Sequence, residues 1–308
     1  MPVNDAHLGM QRAKYSVRSP SPQPKSKTES PSAQSSGEME LPELYAGASP
    51  FQKRDAVHVL TQYLPQFDWA EGDSVLDFGC GDGDLTEYLA RCIPRCASLT
   101  GIDISKKMID YARCHHQEHD LRLGFQQVDI MKSIDARDVF PDGFDKIFSF
   151  YCLHWIKDHQ RLMEHMYDIL KPGGDILLVF LASNPIFTMY ERMAERTEWA
   201  EYMKDVADYV PHYQYAARPA EMFSSICRSV GLQVVECTAQ ERSFSFQNIN
   251  IVKNAVAAVN PFLRRVPVRL RESYLLDCLM ELQKLKAPSA DETTVASYRL
   301  MIAHVRKP

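Results

Sequence analysis

The sequence predicts an α/β fold with a mostly parallel, seven-stranded sheet, and three observations support this prediction. Short apolar segments alternate with amphipathic helical segments from Ser74 to the C-terminus, as in sheets that are covered by helices on both faces. Glycines directly follow the first apolar segment, where a strand must turn sharply into a helix. The 308 residues are 45% hydrophobic and 24% charged, which excludes a fibrous or wholly disordered chain.

Seven segments have the length and apolar content of strands, and four amphipathic segments lie between them. The predicted strands are 74–78, 98–103, 123–128, 145–150, 175–182, 232–237 and 298–306. The predicted helices are 85–91, 106–117, 160–170 and 220–230. We expect the Lys-Pro-Gly-Gly sequence at 171–174 to end the third helix, because proline and glycine terminate helices and turn the chain.

The remaining segments define the predicted domain organisation. Residues 19–37 are rich in serine and proline and contain no aliphatic side chain larger than alanine, so we expect residues 1–40 to be a disordered tail. Residues 41–308 then form one domain, interrupted by mainly helical insertions at about 184–219 and 247–287. Within 180–223, 13 of 44 residues are aromatic or methionine, so a helical cap with adaptable apolar surface is predicted there.

Charge and cysteine content exclude several classes of function. Forty acidic and 35 basic residues give a net charge of −5, so we expect no nucleic-acid partner. Because no apolar run approaches the roughly 20 residues of a membrane span and no signal peptide is evident, we expect a cytoplasmic protein without stable membrane insertion. The eight cysteines contain no CxxC pair, and the Cys/His spacing between Cys92 and His119 matches no tetrahedral zinc pattern, so no metal is expected.

The glycine-rich segment after the first strand predicts a nucleotide-type cofactor. Gly79, Gly81 and Gly83 stand as G-x-G-x-G, with Cys80 inside the loop, and the dinucleotide pattern G-x-G-x-x-G is absent because position 84 is aspartate. This spacing argues against a nicotinamide dinucleotide. Asp103 ends the second predicted strand 22 residues after Gly81, where a carboxylate can accept both hydroxyls of a ribose.

These motifs resemble those of the class I S-adenosylmethionine-dependent methyltransferases. The resemblance runs from the Asp77-x-Gly-x-Gly-x-Gly loop through Asp103 and Asp129 to the segment 170–180, and it implies a Rossmann-like fold. By this resemblance, Asp77 and the glycine loop surround the methionine part of S-adenosylmethionine, Asp103 holds the ribose, and Asp129 with Ile130 contacts the adenine. Ile104 and Ser149, at the ends of the second and fourth strands, complete the implied cofactor site.

A narrower resemblance is to the juvenile hormone acid methyltransferases of arthropods. It rests on SFYCLHW (149–155), LLVFLASNPIF (177–187), YMKDV (202–206) and NPFLRRVP (260–267), and it extends from about Phe51 to the C-terminus. Members of this family esterify sesquiterpenoid acids such as farnesoic acid or juvenile hormone acid, using S-adenosylmethionine and no metal. Gln52 and Trp155 match the glutamine and tryptophan that the family associates with the substrate carboxylate.

The implied chemistry suits these side chains. A carboxylic acid with an ordinary pKa of about 4 is ionised at neutral pH, so it attacks a methyl group without a general base. Gln52 and Trp155 are neutral donors that can hold and aim it, whereas the role of His154 stays open between donation to the carboxylate and positioning of Trp155. We expect apolar and aromatic residues to form the wall around the lipophilic tail: Tyr151, Phe187, Tyr190, Met193, Trp199, Tyr202 and Met203.

Two alternatives share these cofactor motifs. The first is a methyltransferase for a hydroxyl group or carbon of another hydrophobic small molecule, which requires a group that removes a proton; His154 is its candidate base. The second is a noncatalytic protein that carries or senses a lipophilic acid. Product formation separates the enzymes from the sensor, and the identity of the product separates the two enzymes.

Overall fold

The computed structural model describes residues 50–308, except 94, 133–134 and 286–293, so the predicted tail at 1–40 lies outside the described residues. The described part of the chain contains seven strands and eight α-helices. The strands are β1 (Ser74–Phe78), β2 (Ser98–Asp103), β3 (Leu123–Gln127), β4 (Phe144–Phe150), β5 (Leu170–Ser183), β6 (Gln233–Phe246) and β7 (Thr294–Arg306). The helices are α1 (Pro50–Tyr63), α2 (Asp84–Cys92), α3 (Lys106–His116), α4 (His159–Ile169), α5 (Pro185–Ala194), α6 (Pro219–Ser229), α7 (Ile249–Val259) and α8 (Arg271–Lys284).

All seven strands form one sheet in the order β3-β2-β1-β4-β5-β7-β6. The pairs β1–β2, β2–β3, β1–β4 and β4–β5 are parallel, whereas β7 runs antiparallel to both of its neighbours. The predicted mostly parallel, seven-stranded fold is therefore confirmed. The strand order reverses between β1 and β4, and ligands in open α/β sheets bind at such a point, outside the carboxyl ends of the strands.

Side-chain caps fix where several helices begin. The hydroxyl of Ser105 accepts a hydrogen bond from the backbone N–H of Met108 at the start of α3, and the carboxylate of Asp158 accepts one from Arg161 at the start of α4. Asn184 and Asn248 cap α5 and α7 in the same way. Such caps satisfy backbone donors that have no partner inside the helix.

Three elements differ from the sequence prediction. Helix α1 lies outside every segment predicted to be helical. Strand β5 begins at Leu170 rather than near 175, and a register shift opposite Phe144 and Lys146 accommodates Gly173, which has a φ of +75°. Strand β6 continues to Phe246 instead of ending at 237; it is an edge strand with many exposed residues, so no continuous apolar run marks its length.

The sheet carries buried side chains on both faces, and residues 176–180 at its centre are fully buried. One apolar layer packs α1, α5, α7 and α8 against the sheet, and the other packs α4 and α6 against the opposite face. Helices on both faces leave the carboxyl ends of the parallel strands at one edge of this core. The loops after β1, β2, β3 and β4 meet at that edge.

The two predicted insertions are largely helical and contact each other. Tyr190 of α5 donates a hydrogen bond to the carbonyl of Val259 at the end of α7 (3.1 Å), and the indole N–H of Trp199 donates to Asp277 of α8 (2.8 Å). Arg265 pairs with Asp205 and lies over the ring of Phe262. These contacts join the insertions into one helical layer, which we call the cap.

Candidate active site

The loop after β1 takes a backbone shape that requires glycine. Gly79, Gly81 and Gly83 have φ values of +74°, +56° and +85°, in the left-handed region that residues with a Cβ rarely adopt. A Cβ at Gly79 would also lie only 2.3 Å from the sulfur of Cys152. The glycines therefore allow β1 to turn into α2 while the end of β4 packs directly against the turn.

Asp103 is tied to this loop by hydrogen bonds. The backbone N–H of Gly81 donates to Oδ2 of Asp103 (3.1 Å), and the backbone N–H of Ser105 donates to Oδ1 (2.8 Å). The backbone N–H groups of Gly79 and Cys80 donate to the carbonyl of Ile102, immediately before Asp103. The structure thus brings together the glycine loop and the carboxylate that the sequence analysis associates with a ribose.

Asp77 supplies a buried carboxylate oxygen beside the loop. Its Oδ2 atom accepts a hydrogen bond from the hydroxyl of Thr86 (2.6 Å), whereas its buried Oδ1 atom has no hydrogen-bond partner among the described residues. Burial, together with repulsion from Asp103 and Asp82, raises the pKa of Asp77 to about 7. A cationic amine would satisfy Oδ1 and favour the ionised carboxylate, so this site fits the ammonium group of a methionine moiety.

The remaining predicted cofactor residues lie at the ends of neighbouring strands. The backbone N–H of Val128 donates to the carbonyl of Asp103 (3.0 Å), which places Asp129 and the buried Ile130 beside the end of β2. Asp129 pairs with Lys132 (3.0 Å), and the carbonyl of Ile104 accepts a hydrogen bond from Gln127. The hydroxyl of Ser149 is buried and donates to the carbonyl of Phe78 (2.7 Å), so it joins β4 to β1. Contact of these residues with a cofactor stays a prediction.

Strand β4 ends in a strained turn. Tyr151 has a φ of +55°, which costs a residue with a Cβ about 1–2 kcal/mol, and its backbone N–H donates to the carbonyl of Val179 (2.7 Å). A short 3₁₀ turn, Leu153–Trp155, follows directly. The turn brings His154 and Trp155 to the edge of the sheet where the glycine loop lies, because Cys152 of the same segment packs against Gly79.

His154 lies in an aromatic environment. Its ring centroid is 4.8 Å from that of Trp155, 6.0 Å from that of Phe187 and 6.3 Å from that of Tyr151. The imidazole is buried, and Nδ1 has no hydrogen-bond partner in the described part of the chain. Burial lowers the pKa of His154 to about 3, so the ring is neutral at physiological pH.

Gln52 lies on α1, whose other residues contact the site. Its side chain is buried, and its Oε1 atom accepts no hydrogen bond within the described residues. One neighbour, Lys53, forms an ion pair with Asp84 at the start of α2, and Asp55, one turn later, accepts a hydrogen bond from the hydroxyl of Tyr151 (3.0 Å). The helix carrying Gln52 therefore contacts both the glycine-loop side and the β4 side of the site.

Four of the seven predicted wall residues fall into two groups. Phe187 contacts the site directly, since its ring lies 6.0 Å from those of both His154 and Trp155, and Tyr190 packs against Phe187. Trp199 and Met203 instead contact Tyr274 of α8 inside the cap. Substrate contact by the wall residues stays a prediction for all seven: Tyr151, Phe187, Tyr190, Met193, Trp199, Tyr202 and Met203.

Three residues that shape this site were not predicted from the sequence. Asp55 is buried and accepts hydrogen bonds from Tyr151 and Tyr298, although its position in Gln-Lys-Arg-Asp gives it the appearance of a surface carboxylate. Tyr298 comes from β7, 243 residues away in the chain. Thr86 lies within the predicted helix 85–91, and nothing in the sequence distinguishes it from its neighbours as the partner of Asp77. No local pattern marks any of these contacts.

Among the described residues, no group of three or more histidine, cysteine, aspartate or glutamate side chains is arranged to hold a metal ion. No helix in the described part of the chain is both long enough and apolar enough to span a membrane.

The chain is similar in sequence to known methyltransferases. A family model for a methyltransferase domain matches residues 75–174, which include the glycine loop and the end of β4. Juvenile hormone acid O-methyltransferase of Drosophila melanogaster is 33% identical over 273 residues, covering 86% of this chain and 91% of that protein. The chain belongs to the juvenile hormone acid O-methyltransferase family. The Bombyx mori enzyme of the same name is 32% identical over 246 residues, covering 79% of this chain and 86% of that enzyme.

Solved methyltransferase structures share the fold of this chain. Phosphoethanolamine N-methyltransferase 2 of Haemonchus contortus, in complex with phosphomonomethylethanolamine and S-adenosylhomocysteine, superimposes with a TM-score of 0.53 at 18% identity, covering 90% of this chain and 59% of that one. Coclaurine N-methyltransferase gives a TM-score of 0.52 at 15% identity, covering 82% and 72%. The family member described here is a class I, S-adenosylmethionine-dependent methyltransferase, as the sequence predicted.

Proposed function

We propose that the chain transfers a methyl group from S-adenosylmethionine to the carboxylate of a sesquiterpenoid acid such as farnesoic acid or juvenile hormone acid. The main support for this proposal is that the buried His154 ring is surrounded by uncharged aromatic side chains. The rings that contact His154 belong to Tyr151, Trp155 and Phe187, none of which has a formal charge at neutral pH. The names of the two relatives above support the same acceptor.

The residues beside the glycine loop would hold the cofactor. Asp77 would accept a hydrogen bond from the ammonium group through its unpartnered Oδ1 atom, and Asp103 would accept from the ribose hydroxyls. Asp129 and Ile130 would lie against the adenine. When bound, S-adenosylmethionine supplies an electrophilic methyl group on a positively charged sulfur.

The acceptor residues would bind and aim a carboxylate that is already ionised. The side-chain amide of Gln52 and the indole N–H of Trp155 are donors, and they leave one carboxylate lone pair free for attack. A new O–CH₃ bond forms as the S–CH₃ bond breaks, and no proton is transferred. The acceptor loses its charge in this step, so the interactions that bind it weaken in the transition state. An arginine would lose a strong interaction with the carboxylate and slow the reaction, whereas neutral donors bind the anion and lose less.

The state of His154 favours a carboxylate over a hydroxyl or carbon acceptor. Those acceptors require removal of a proton, and a good general base has a pKa near the working pH. The pKa of His154 is lowered to about 3, so its imidazole is a weak base. We therefore assign His154 a hydrogen-bonding role toward the carboxylate or Trp155, through a neutral ring.

Replacing His154 with glutamine tests this assignment. Glutamine donates a hydrogen bond but does not remove a proton, so turnover of an isoprenoid acid is expected to stay within about tenfold of the wild-type value, whereas loss of a general base typically costs about 10²–10⁴-fold. Wild-type turnover should also show no inflection near pH 6.5, because a group with a lowered pKa stays neutral until the pH falls toward that lower value. Steady-state assays from pH 6 to 8 check both points.

The matched control is His154→Phe, which keeps an aromatic ring and removes the hydrogen bond. It should be slower than the glutamine variant if the ring nitrogen contributes a hydrogen bond. Loss of activity by a factor of 1,000 or more in His154→Gln, with a wild-type rate that falls near pH 6.5, would contradict the assignment and favour a base-dependent acceptor.

A further inference from the structure

Asp55 connects the two elements that carry the acceptor-binding residues. Its carboxylate is 2% exposed and lies one turn after Gln52 on the buried face of α1. Its Oδ2 atom accepts hydrogen bonds from the hydroxyls of Tyr151 (3.0 Å) and Tyr298, and its Oδ1 atom accepts two from the guanidinium of Arg54 (3.0 and 2.8 Å). One buried side chain thus joins α1, the end of β4 and β7.

We propose that Asp55 is a positioning residue for methyl transfer, which sets the distance between Gln52 on α1 and Trp155 after β4. This inference rests on the proposed function, in which those two side chains hold one carboxylate. Asp55 acts through the elements that it joins, because its described hydrogen bonds come from Arg54 on α1, Tyr151 at the end of β4 and Tyr298 on β7.

The strained backbone beside Asp55 supports this role. Tyr151 has a left-handed backbone conformation three residues before His154, and unfavourable conformations persist only where surrounding contacts hold them. The hydrogen bond to Asp55 and the edge-on packing of Phe51 against the Tyr151 ring (5.8 Å) are two such contacts, and both come from α1. The same helix therefore holds the β4 turn and presents Gln52.

Burial makes this connection sensitive to small changes. A buried carboxylate is retained only where hydrogen bonds and charge compensate for the loss of water, and Arg54 supplies that charge. Removal of the Oδ2 acceptor deprives the hydroxyls of Tyr151 and Tyr298 of the hydrogen bonds that they donate to Asp55, and we expect α1 to shift relative to β4. Displacements of about 1 Å can cost as much as 100-fold in rate, even where no catalytic atom is removed.

A double-mutant cycle between Asp55 and Gln52 tests the proposal. Asp55→Asn, Gln52→Ala and the double variant are assayed with farnesoic acid, and turnover is normalised to the fraction of protein that binds S-adenosylmethionine by calorimetry. Asp55→Asn is expected to lower the turnover of the wild-type chain about tenfold, but by less than about twofold when Gln52 is already alanine, because groups that act as a unit are not additive. Cofactor affinity should stay unchanged.

Tyr151→Phe and Tyr298→Phe each remove one hydroxyl that donates to the same oxygen of Asp55, and Tyr298→Phe also removes an acceptor of the Arg54 guanidinium (2.9 Å). Tyr151 lies on the same turn as Trp155, whereas Tyr298 lies on β7, which contains none of the proposed acceptor-binding residues. Tyr151→Phe should therefore lower normalised turnover several-fold more than Tyr298→Phe, while both lower the melting temperature. If Asp55→Asn does not fold, Tyr151→Phe takes its place in the cycle with Gln52→Ala.

The outcomes separate this inference from the proposed function. If wild-type protein forms the methyl ester but the Asp55 and Gln52 effects simply multiply, or if only the melting temperature changes, Asp55 is structural and the positioning role is wrong. If wild-type protein binds the cofactor but forms no ester, the proposed function fails and the inference that rests on it fails too. A non-additive cycle with ester formation supports both.

Discussion

Replacing Trp155 with alanine is expected to lower turnover about 100-fold, because the carboxylate loses a group that orients it toward the methyl group and a displacement of about 1 Å can cost this much. The indole N–H is one of two proposed donors to the carboxylate, and its ring packs against His154 and Phe187, so the substitution removes both a hydrogen bond and part of the pocket. Affinity for S-adenosylmethionine should stay within about twofold, because none of the predicted cofactor residues, which lie on or after β1 to β3 and within β4, belongs to the 3₁₀ turn that carries Trp155. Steady-state kinetics at saturating cofactor and calorimetry give the two values.

Trp155→Phe is the matched control for this prediction. Phenylalanine keeps an aromatic ring beside His154 but lacks the N–H, so it separates the hydrogen bond from packing. We expect it to retain the substrate pocket and still lose most of the turnover. Lost cofactor binding with unchanged turnover at saturating cofactor in Trp155→Ala would contradict the proposed role of the indole.

Replacing Asp103 with alanine should produce the largest loss of cofactor affinity, about 10- to 100-fold. Hydrogen bonds to charged groups contribute about 1.5–3 kcal/mol each, and every 1.4 kcal/mol is a factor of ten in affinity. The substitution also removes the acceptor of the Gly81 N–H, so the loop loses one of its hydrogen bonds to β2 and keeps those from Gly79 and Cys80 to Ile102. Turnover at saturating cofactor should change much less than affinity, since the described hydrogen bonds of Asp103 come from the backbone of Gly81 and Ser105 on the cofactor side of the site.

Two controls accompany the Asp103 measurement. Asp103→Asn keeps one acceptor oxygen and should lose less affinity than the alanine variant. Asp110→Ala removes the same charge from the exposed face of α3, where Asp110 pairs only with Lys106 among the described ion pairs, and it should leave affinity unchanged. Unchanged calorimetric affinity in Asp103→Ala would remove this residue from the proposed ribose site.

The cofactor side of the site was predictable because its signals are local. Glycines at 79, 81 and 83 directly follow a short apolar strand, and a turn that requires positive φ has little choice of residue. The position of Asp103 at the end of the next strand follows from the parallel sheet itself. Strand pairing then places these residues together, as observed in the hydrogen bond from Gly81 to Asp103.

The acceptor side was only partly predictable, because its contacts join distant parts of the chain. Family resemblance identified Gln52 and Trp155, but nothing local predicted α1 as a helix or Asp55 as a buried carboxylate. The two tyrosine partners of Asp55 lie 96 and 243 residues away. Hydrophobic periodicity reports which face of a helix is buried, and it carries no information about a polar residue that is buried by tertiary hydrogen bonds.

Composition predicted an apolar cap but did not rank its members. Phe187 follows the end of β5 by only a few residues, so the sheet fixes its place beside His154. Trp199 lies farther along the insertion, and its N–H donates to Asp277 of the second insertion. Packing between two segments separated by strand β6 decides which aromatic rings face the site, and single-segment composition does not contain that information.

The mass of the methylated product shows whether the chain esterifies an isoprenoid acid. Purified protein is incubated with methyl-labelled S-adenosylmethionine and a panel of farnesoic acid, juvenile hormone acid, straight-chain fatty acids and the corresponding alcohols, and the products are identified by mass. We expect a labelled methyl ester of an isoprenoid acid and no methyl ether of any alcohol. A labelled ether, or the absence of ester from protein that demonstrably binds the cofactor, would contradict it.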